Sequence, residues 1–207
     1  MAEPMKRLTG LLLFALLAAV PAAAPAQARL ETAVFAGGCF WGVDAVFRHV
    51  RGVEHVVSGY SGGGAATARY DLVSSDTTGH AESVEVTFDP GRVSYDDLLR
   101  VFFTVAHDPT ERDRQGPDVG SQYRSVVFYK TPEQHRAVLA MIAALTRQRG
   151  GDAQPIVTEV VPLDHFYPAE AYHQDYLAHH LDSPYIVYND LPKLKRLEQQ
   201  FPALYKQ

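Results

Sequence analysis

No second cysteine accompanies Cys39 in the 207 residues of the chain. A lone thiol cannot form an internal disulfide, so it serves either packing or chemistry, and a small fold held together by disulfide staples is excluded. No basic stripe runs along the sequence, whose formal charge is −5 at pH 7, and the electrostatic footprint of a nucleic-acid binder is therefore missing. No apolar run reaches the roughly 20 residues that cross a bilayer. No repeat or low-complexity stretch follows residue 28. The glycines after Tyr60 lack the Gly-Lys-Ser/Thr ending of a phosphate loop.

What is present at the start of the chain is Lys6 and Arg7, an apolar run over 11–20, and Ala26-Gln27-Ala28. These are the three regions of a secretory signal. Cleavage is expected near Arg29, with retention as an anchor through the alanine-rich extension as the alternative. Removal of 1–28 shifts the formal charge from −5 to −6 and leaves 29–207 as a mildly acidic, exported, periplasmic domain. That length suffices for one core and does not demand two.

The segment 31–36 reads as a buried strand. Phe40, Trp41, Val43, Val46, Phe47 and Val50 recur at helical spacing until Gly52. A second strand covers 53–60, followed by Ser61-Gly62-Gly63-Gly64 and a polar loop to Ala81. Val84, Val86 and Phe88 alternate with Ser83, Glu85 and Thr87 as a third, half-buried strand. Ser94 with Asp97 opens a helix to 105 by a capping box with aspartate in place of glutamate. A loop over 107–122 leads to a fourth strand at 123–129, a helix at 131–148 opened by Thr131 and Pro132, a strand at 156–161 and a helix at 170–180. After Ser183 comes a mixed tail with short helix potential. The order predicts an α+β fold: a ferredoxin-like β-α-β-β-α-β two-layer sandwich with an additional strand, helix and C-terminal extension.

In such a sheet the first two strands run parallel, the third lies between them in the opposite direction, and the fourth flanks the first. Cys39, the glycine loop, Glu82 and Tyr123 then share one rim. Glycines around Cys39 open the backbone, and the following helix start favours thiolate. Glu82, with the hydroxyls of Tyr70 and Tyr123 and the carboxyl of Asp118, supplies proton donors. A carboxyl beside aromatic rings loses hydration and becomes an acid near neutral pH. Phe40 and Trp41 offer apolar walls for a methyl group. A thiol, an acid and such walls fit a reactant with a methyl beside a poor oxygen leaving group.

Gly38-Cys39-Phe40-Trp41-Gly42, Gly59-Tyr60-Ser61-Gly62-Gly63, Thr78-Gly79-His80-Ala81-Glu82, His107-Asp108-Pro109-Thr110, the run from Arg114 to Ser125 and Phe166-Tyr167-Pro168-Ala169-Glu170 resemble, in order, the motifs of the peptide methionine sulfoxide reductase A family. They span roughly 34–181. The resemblance implies that Cys39 attacks the sulfur of methionine S-sulfoxide, free or in oxidised proteins. It implies that Phe40 and Trp41 hold the methyl, that Glu82, Tyr70 and Tyr123 bind or protonate the oxygen, and that Asp118 supports this polar side. Cys39 would be left as sulfenic acid, the first and reversible rung of thiol oxidation. Many family members resolve that acid with further cysteines near the C-terminus. None exists here, so no cofactor but an external thiol is expected, from a small thiol or an exported thioredoxin-like protein, acting on a monomer.

Two other readings stay open at this stage. A cysteine hydrolase would pair Cys39 with a histidine, His80 being the nearest candidate. A binding-only module would capture the sulfoxide without turnover. Glu170-x-x-His173 has the spacing of a di-iron ligand pair but no second such pair, which makes His173 a packed or hydrogen-bonded residue.

Overall fold

The computed structural model describes Met1 and residues 29–206; the secretory signal falls almost wholly outside the described residues. A six-stranded sheet runs in the order β7-β6-β1-β3-β2-β8. Its strands are β1 (Glu31–Gly37), β2 (Val53–Ser61), β3 (Ala81–Phe88), β6 (Ser125–Tyr129), β7 (Glu159–Pro162) and β8 (Phe166–Pro168). Strand β3 pairs antiparallel with both β1 and β2, and β6 pairs antiparallel with β1, giving the split arrangement expected from the order of elements.

Alternation along β1 serves two faces at once. Ala33 and Phe35 join the main core, while Val34 and Ala36 join a smaller apolar cluster with Ala81, Val126 and Phe128. On the main face Phe35 stacks at 5.0 Å on Phe47 of α1 (Phe40–Arg48), and at 5.0 Å on Phe102. Burying such rings stabilises by about 1.5–3 kcal/mol each and fixes α1 over the strand that feeds it. Short helix α2 (Tyr70–Val73) forms inside the polar loop.

Helix α3 (Tyr95–Val101) starts at the capping box: Ser94 Oγ accepts from the Asp97 N–H at 3.1 Å while Asp97 Oδ2 accepts from the Ser94 N–H at 3.4 Å. The expected helix to 105 ends earlier as α-helix and continues as one wide π-turn over Phe102–Ala106. Two residue pairs, β4 (Arg114–Gln115) and β5 (Asp118–Val119), form a hairpin within the long loop. Helix α4 (Pro132–Arg149) ends at Gly150, with φ +81°.

Three expected elements are corrected. The strand placed at 123–129 begins only at Ser125, because Tyr123 closes a 3₁₀ turn over Ser121–Tyr123 by donating its N–H to the Gly120 carbonyl at 3.0 Å. The strand placed at 156–161 is Glu159–Pro162, since Val157 instead donates its N–H to Pro109. The helix placed at 170–180 is broken. A 3₁₀ turn, Ala171–His173, is followed by extended Gln174, by Asp175 at φ +51°, and only then by α5 (Tyr176–His179). The Gln174 amide explains the break: it accepts from the Ser58 N–H and donates to the carbonyls of Ser58 and Ala169, holding the chain against β2. The tail makes a π-turn, Ile186–Asp190, and then α6 (Leu191–Gln200). Among the described residues no helix is long and apolar enough to cross a membrane.

Candidate active site

Strand β1 ends at Gly37, and Cys39 caps α1 two residues later. Between them Gly38 adopts φ +92°, and a Cβ there would lie 2.6 Å from the Gln115 side chain of β4. Gly38→Ala is therefore expected to lower stability by about 1–3 kcal/mol, read as a lower denaturant midpoint with the slope unchanged. The same turn recesses Cys39, whose exposure is 8 %.

Burial pushes the Cys39 thiol well above its ordinary range, and the Glu82 and Asp190 carboxyls push it further. The Trp41 backbone N–H pulls the other way without prevailing. The expectation that the helix start favours thiolate is thus corrected, because desolvation of the sulfur outweighs the partial charge of a short helix. The resting site holds a neutral thiol.

Glu82 stands at the start of β3, opposite Tyr60 on β2. It is almost fully buried, and its Oε2 accepts the Phe40 N–H at 3.0 Å. Burial raises its pKa to about 8 despite that hydrogen bond, so the carboxyl is protonated at neutral pH. Burial likewise raises the phenols of Tyr70 and Tyr123, with Glu82 adding to the shift in both. Asp118, on β5, is raised by burial while its hydrogen bond from Tyr185 opposes the shift.

A cavity of about 210 Å³ is lined by Cys39, Phe40, Trp41, Tyr70, Glu82, Asp118, Tyr123 and Tyr185. The seven residues expected from sequence meet there, on the rim where β1 ends and β3 and β6 begin. A larger hollow of about 650 Å³ lies at the opposite end of β1, beside Tyr95 and Lys130, and has no thiol in its walls. Tyr185 is the wall residue that sequence reasoning missed. It sits in the tail, far along the chain from Cys39 with no local pattern around it, and reaches the site by donating its hydroxyl to Asp118 Oδ2 at 2.5 Å.

Around the cavity the remaining polar groups are tied. The Trp41 indole N–H donates to His173 Nδ1 at 3.1 Å, and its ring stacks on Tyr176 at 3.7 Å. Glu170 accepts from the Tyr60 hydroxyl and from the Tyr70 N–H, each at 2.9 Å. Both carboxylate oxygens of Glu170 are therefore engaged, which takes the glutamate of Glu170-x-x-His173 away from a metal. His80 accepts from the Gly63 N–H through Nδ1 and reaches the Gly64 carbonyl through Nε2 at 3.0 Å. Both of its nitrogens are occupied, which removes the base that a cysteine hydrolase needs. Buried His107, lowered to about 4 by desolvation, is engaged by Phe102 and Ser125.

The arrangement can protonate an oxygen at one wall, hold a small alkyl group at another, and present sulfur between them. Comparison with known proteins agrees with that chemistry. The family model described as peptide methionine sulfoxide reductase matches residues 31–204. Peptide methionine sulfoxide reductase MsrA 2 of Mesorhizobium japonicum is 53 % identical over 177 residues, covering 86 % of this chain and 90 % of its own length. The reduced form of Mxr1 from Saccharomyces cerevisiae superposes with TM-score 0.70 at 29 % identity, over 75 % of this chain and 88 % of that one. Methionine sulfoxide reductase A of Corynebacterium diphtheriae gives TM-score 0.65 at 34 % identity, over 75 % and 77 % of the two chains. A family match across nearly the whole described domain, joined to a relative of this identity and extent, means that the chain belongs to the peptide methionine sulfoxide reductase family.

Proposed function

We propose that the protein reduces methionine S-sulfoxide, free or within polypeptides, to methionine, and so repairs oxidised proteins. The observation that carries this reading is a buried thiol and a carboxyl protonated at neutral pH in one aromatic cavity. The substrate methyl packs against Phe40 and Trp41, and its oxygen faces Glu82, Tyr70 and Tyr123, with Asp118 holding the polar side. Glu82 gives its proton to the oxygen as the Cys39 sulfur attacks the sulfoxide sulfur. The S–S bond so formed breaks together with the S–O bond as the hydroxyl passes to the Cys39 sulfur, leaving sulfenic acid; methionine leaves, and the thiol proton restores Glu82. Proton donation of this kind is typically worth about 10²–10⁴ in rate.

The 207 residues hold no second cysteine, so recycling takes an external thiol. One thiol displaces water from the sulfenic acid to form a mixed disulfide, and a second frees Cys39. A small thiol or an exported thioredoxin-like protein fits this role, on a monomeric, periplasmic enzyme whose N-terminal signal is removed. Mixing enzyme with the sulfoxide and no thiol is expected to release about one equivalent of methionine per enzyme and add one oxygen to its intact mass. Subsequent addition of each candidate thiol should give an adduct on Cys39 that a second equivalent reverses. Release of no methionine would mark a binding-only module and overturn the assignment.

A further inference from the structure

Asp190 ends the π-turn that leads into α6, is 1 % exposed, and lies outside the walls of the cavity. Its side chain makes no cap bond to α6. Instead Oδ1 accepts from the Lys193 ammonium at 3.1 Å, while Oδ2 is buried with no hydrogen-bond partner. The pair presses on α1: a Cβ on Gly42 would lie 2.6 Å from Lys193 Nζ and would overlap Asp190 Oδ1. Glycine inside a helix weakens it, yet any larger residue here would push the two charges away. A buried ion pair is often no more stabilising than apolar side chains of the same volume, and a carboxyl oxygen left without a donor costs more. Stability therefore does not account for a glycine on one side and a half-satisfied carboxyl on the other.

The turn against which the pair stands is the one that carries the thiol. Cys39 caps α1 and Gly42 follows three residues later, so the two share a helix face. Within the cavity the sulfur meets Glu82 from β3, Tyr70 from α2, Asp118 from β5, Tyr123 from the 3₁₀ turn and Tyr185 from the tail. Outside it stands Asp190, against the first turn of α1. After burial and Glu82, the Asp190 carboxyl is the next influence raising the Cys39 thiol. Burial raises Asp190 and Asp118 as well, and the Lys193 ammonium opposes the shift in both. Burial lowers His107, with Lys193 adding to the effect. We propose that the Asp190–Lys193 pair governs the nucleophilicity of Cys39 from outside the cavity: the carboxylate restrains the sulfur, and the ammonium limits that restraint. Both are positioning residues that act through charge on Cys39.

Cys39 is the only cysteine of the chain, so its alkylation by iodoacetamide at about pH 8, followed by intact mass, reads the thiolate directly. The assay contains no sulfoxide, so its failure and a failure of sulfoxide reduction are distinguishable. Asp190→Asn keeps the shape and an acceptor for Lys193 but removes the negative charge. Alkylation should become about 3- to 10-fold faster, as the thiolate fraction rises. Lys193→Gln keeps a donor to Asp190 and removes the positive charge. Alkylation should then become about 3- to 10-fold slower, because the carboxylate is left uncompensated. A tail merely loosened from α1 would expose the sulfur and speed alkylation in both variants. Any pattern other than a faster Asp190→Asn and a slower Lys193→Gln therefore overturns the inference. Far-ultraviolet circular dichroism and a thermal melt check that each variant folds. Should Asp190→Asn not fold, the double variant Asp190→Asn, Lys193→Met leaves no unpaired charge and takes its place. With the carboxylate gone, its alkylation should also exceed that of the wild type, and an equal or slower rate would overturn the inference.

Discussion

Cys39→Ser is expected to lose sulfoxide reduction by about 10⁴-fold or more, to the level of the uncatalysed reaction with thiols. A serine hydroxyl keeps the shape of the side chain but can neither attack sulfur at neutral pH nor carry the oxygen as a reducible species. The variant should still fold, since Cys39 makes no side-chain cap bond to α1 and exchanges its buried sulfur for a smaller oxygen. It should also still bind the sulfoxide, which separates chemistry from recognition. Turnover of each sulfoxide epimer with dithiothreitol, beside a thermal melt, measures this. Activity surviving in Cys39→Ser would remove the central claim.

Glu82→Gln should slow the chemical step by about 10²–10⁴ with substrate affinity largely kept, because an amide donates a hydrogen bond but gives up no proton. The pH dependence adds an independent signature. The Glu82 pKa is raised to about 8, so the carboxyl is in its active, protonated form at neutral pH. Reduction should then decline as pH rises through about 8, where that proton is lost. In Glu82→Gln this basic limb should disappear from the kcat/KM profile, leaving a low, flatter rate. Single-turnover release of methionine measured across pH 6–10 gives both numbers. A wild-type profile flat through that range would move the proton donor to Tyr70, Tyr123 or water.

The parts of this site that were legible in the sequence are those encoded by short periodicities. Alternation in β1 and β3 and the glycine-flanked turn at Cys39 set the strand order, and strand order alone brought Glu82 and Tyr123 to the rim of Cys39. The illegible parts depend on contacts between distant segments. Helical spacing over 170–180 gave no hint that the Gln174 amide would take up three backbone groups of β2 and its neighbour and break the helix. Tyr185 enters the cavity only because a hairpin some 70 residues upstream carries Asp118 to meet it. The ionisation state of Cys39 was misjudged for a related reason. A helix start is visible in sequence, whereas the desolvation that overrides it comes from rings and carboxyls supplied by four separate segments.

The neutral resting thiol has a consequence for what the enzyme ignores. Thiol–disulfide exchange, alkylation and peroxide attack all proceed through thiolate on an accessible sulfur. Cys39 lines the cavity but keeps its proton until a sulfoxide fills the site and draws a proton toward its oxygen. Selectivity then resides in silence as much as in recognition: an oxidant or a foreign disulfide reaching the cavity meets a protonated thiol, and a committed nucleophile appears only in company with the lesion it repairs.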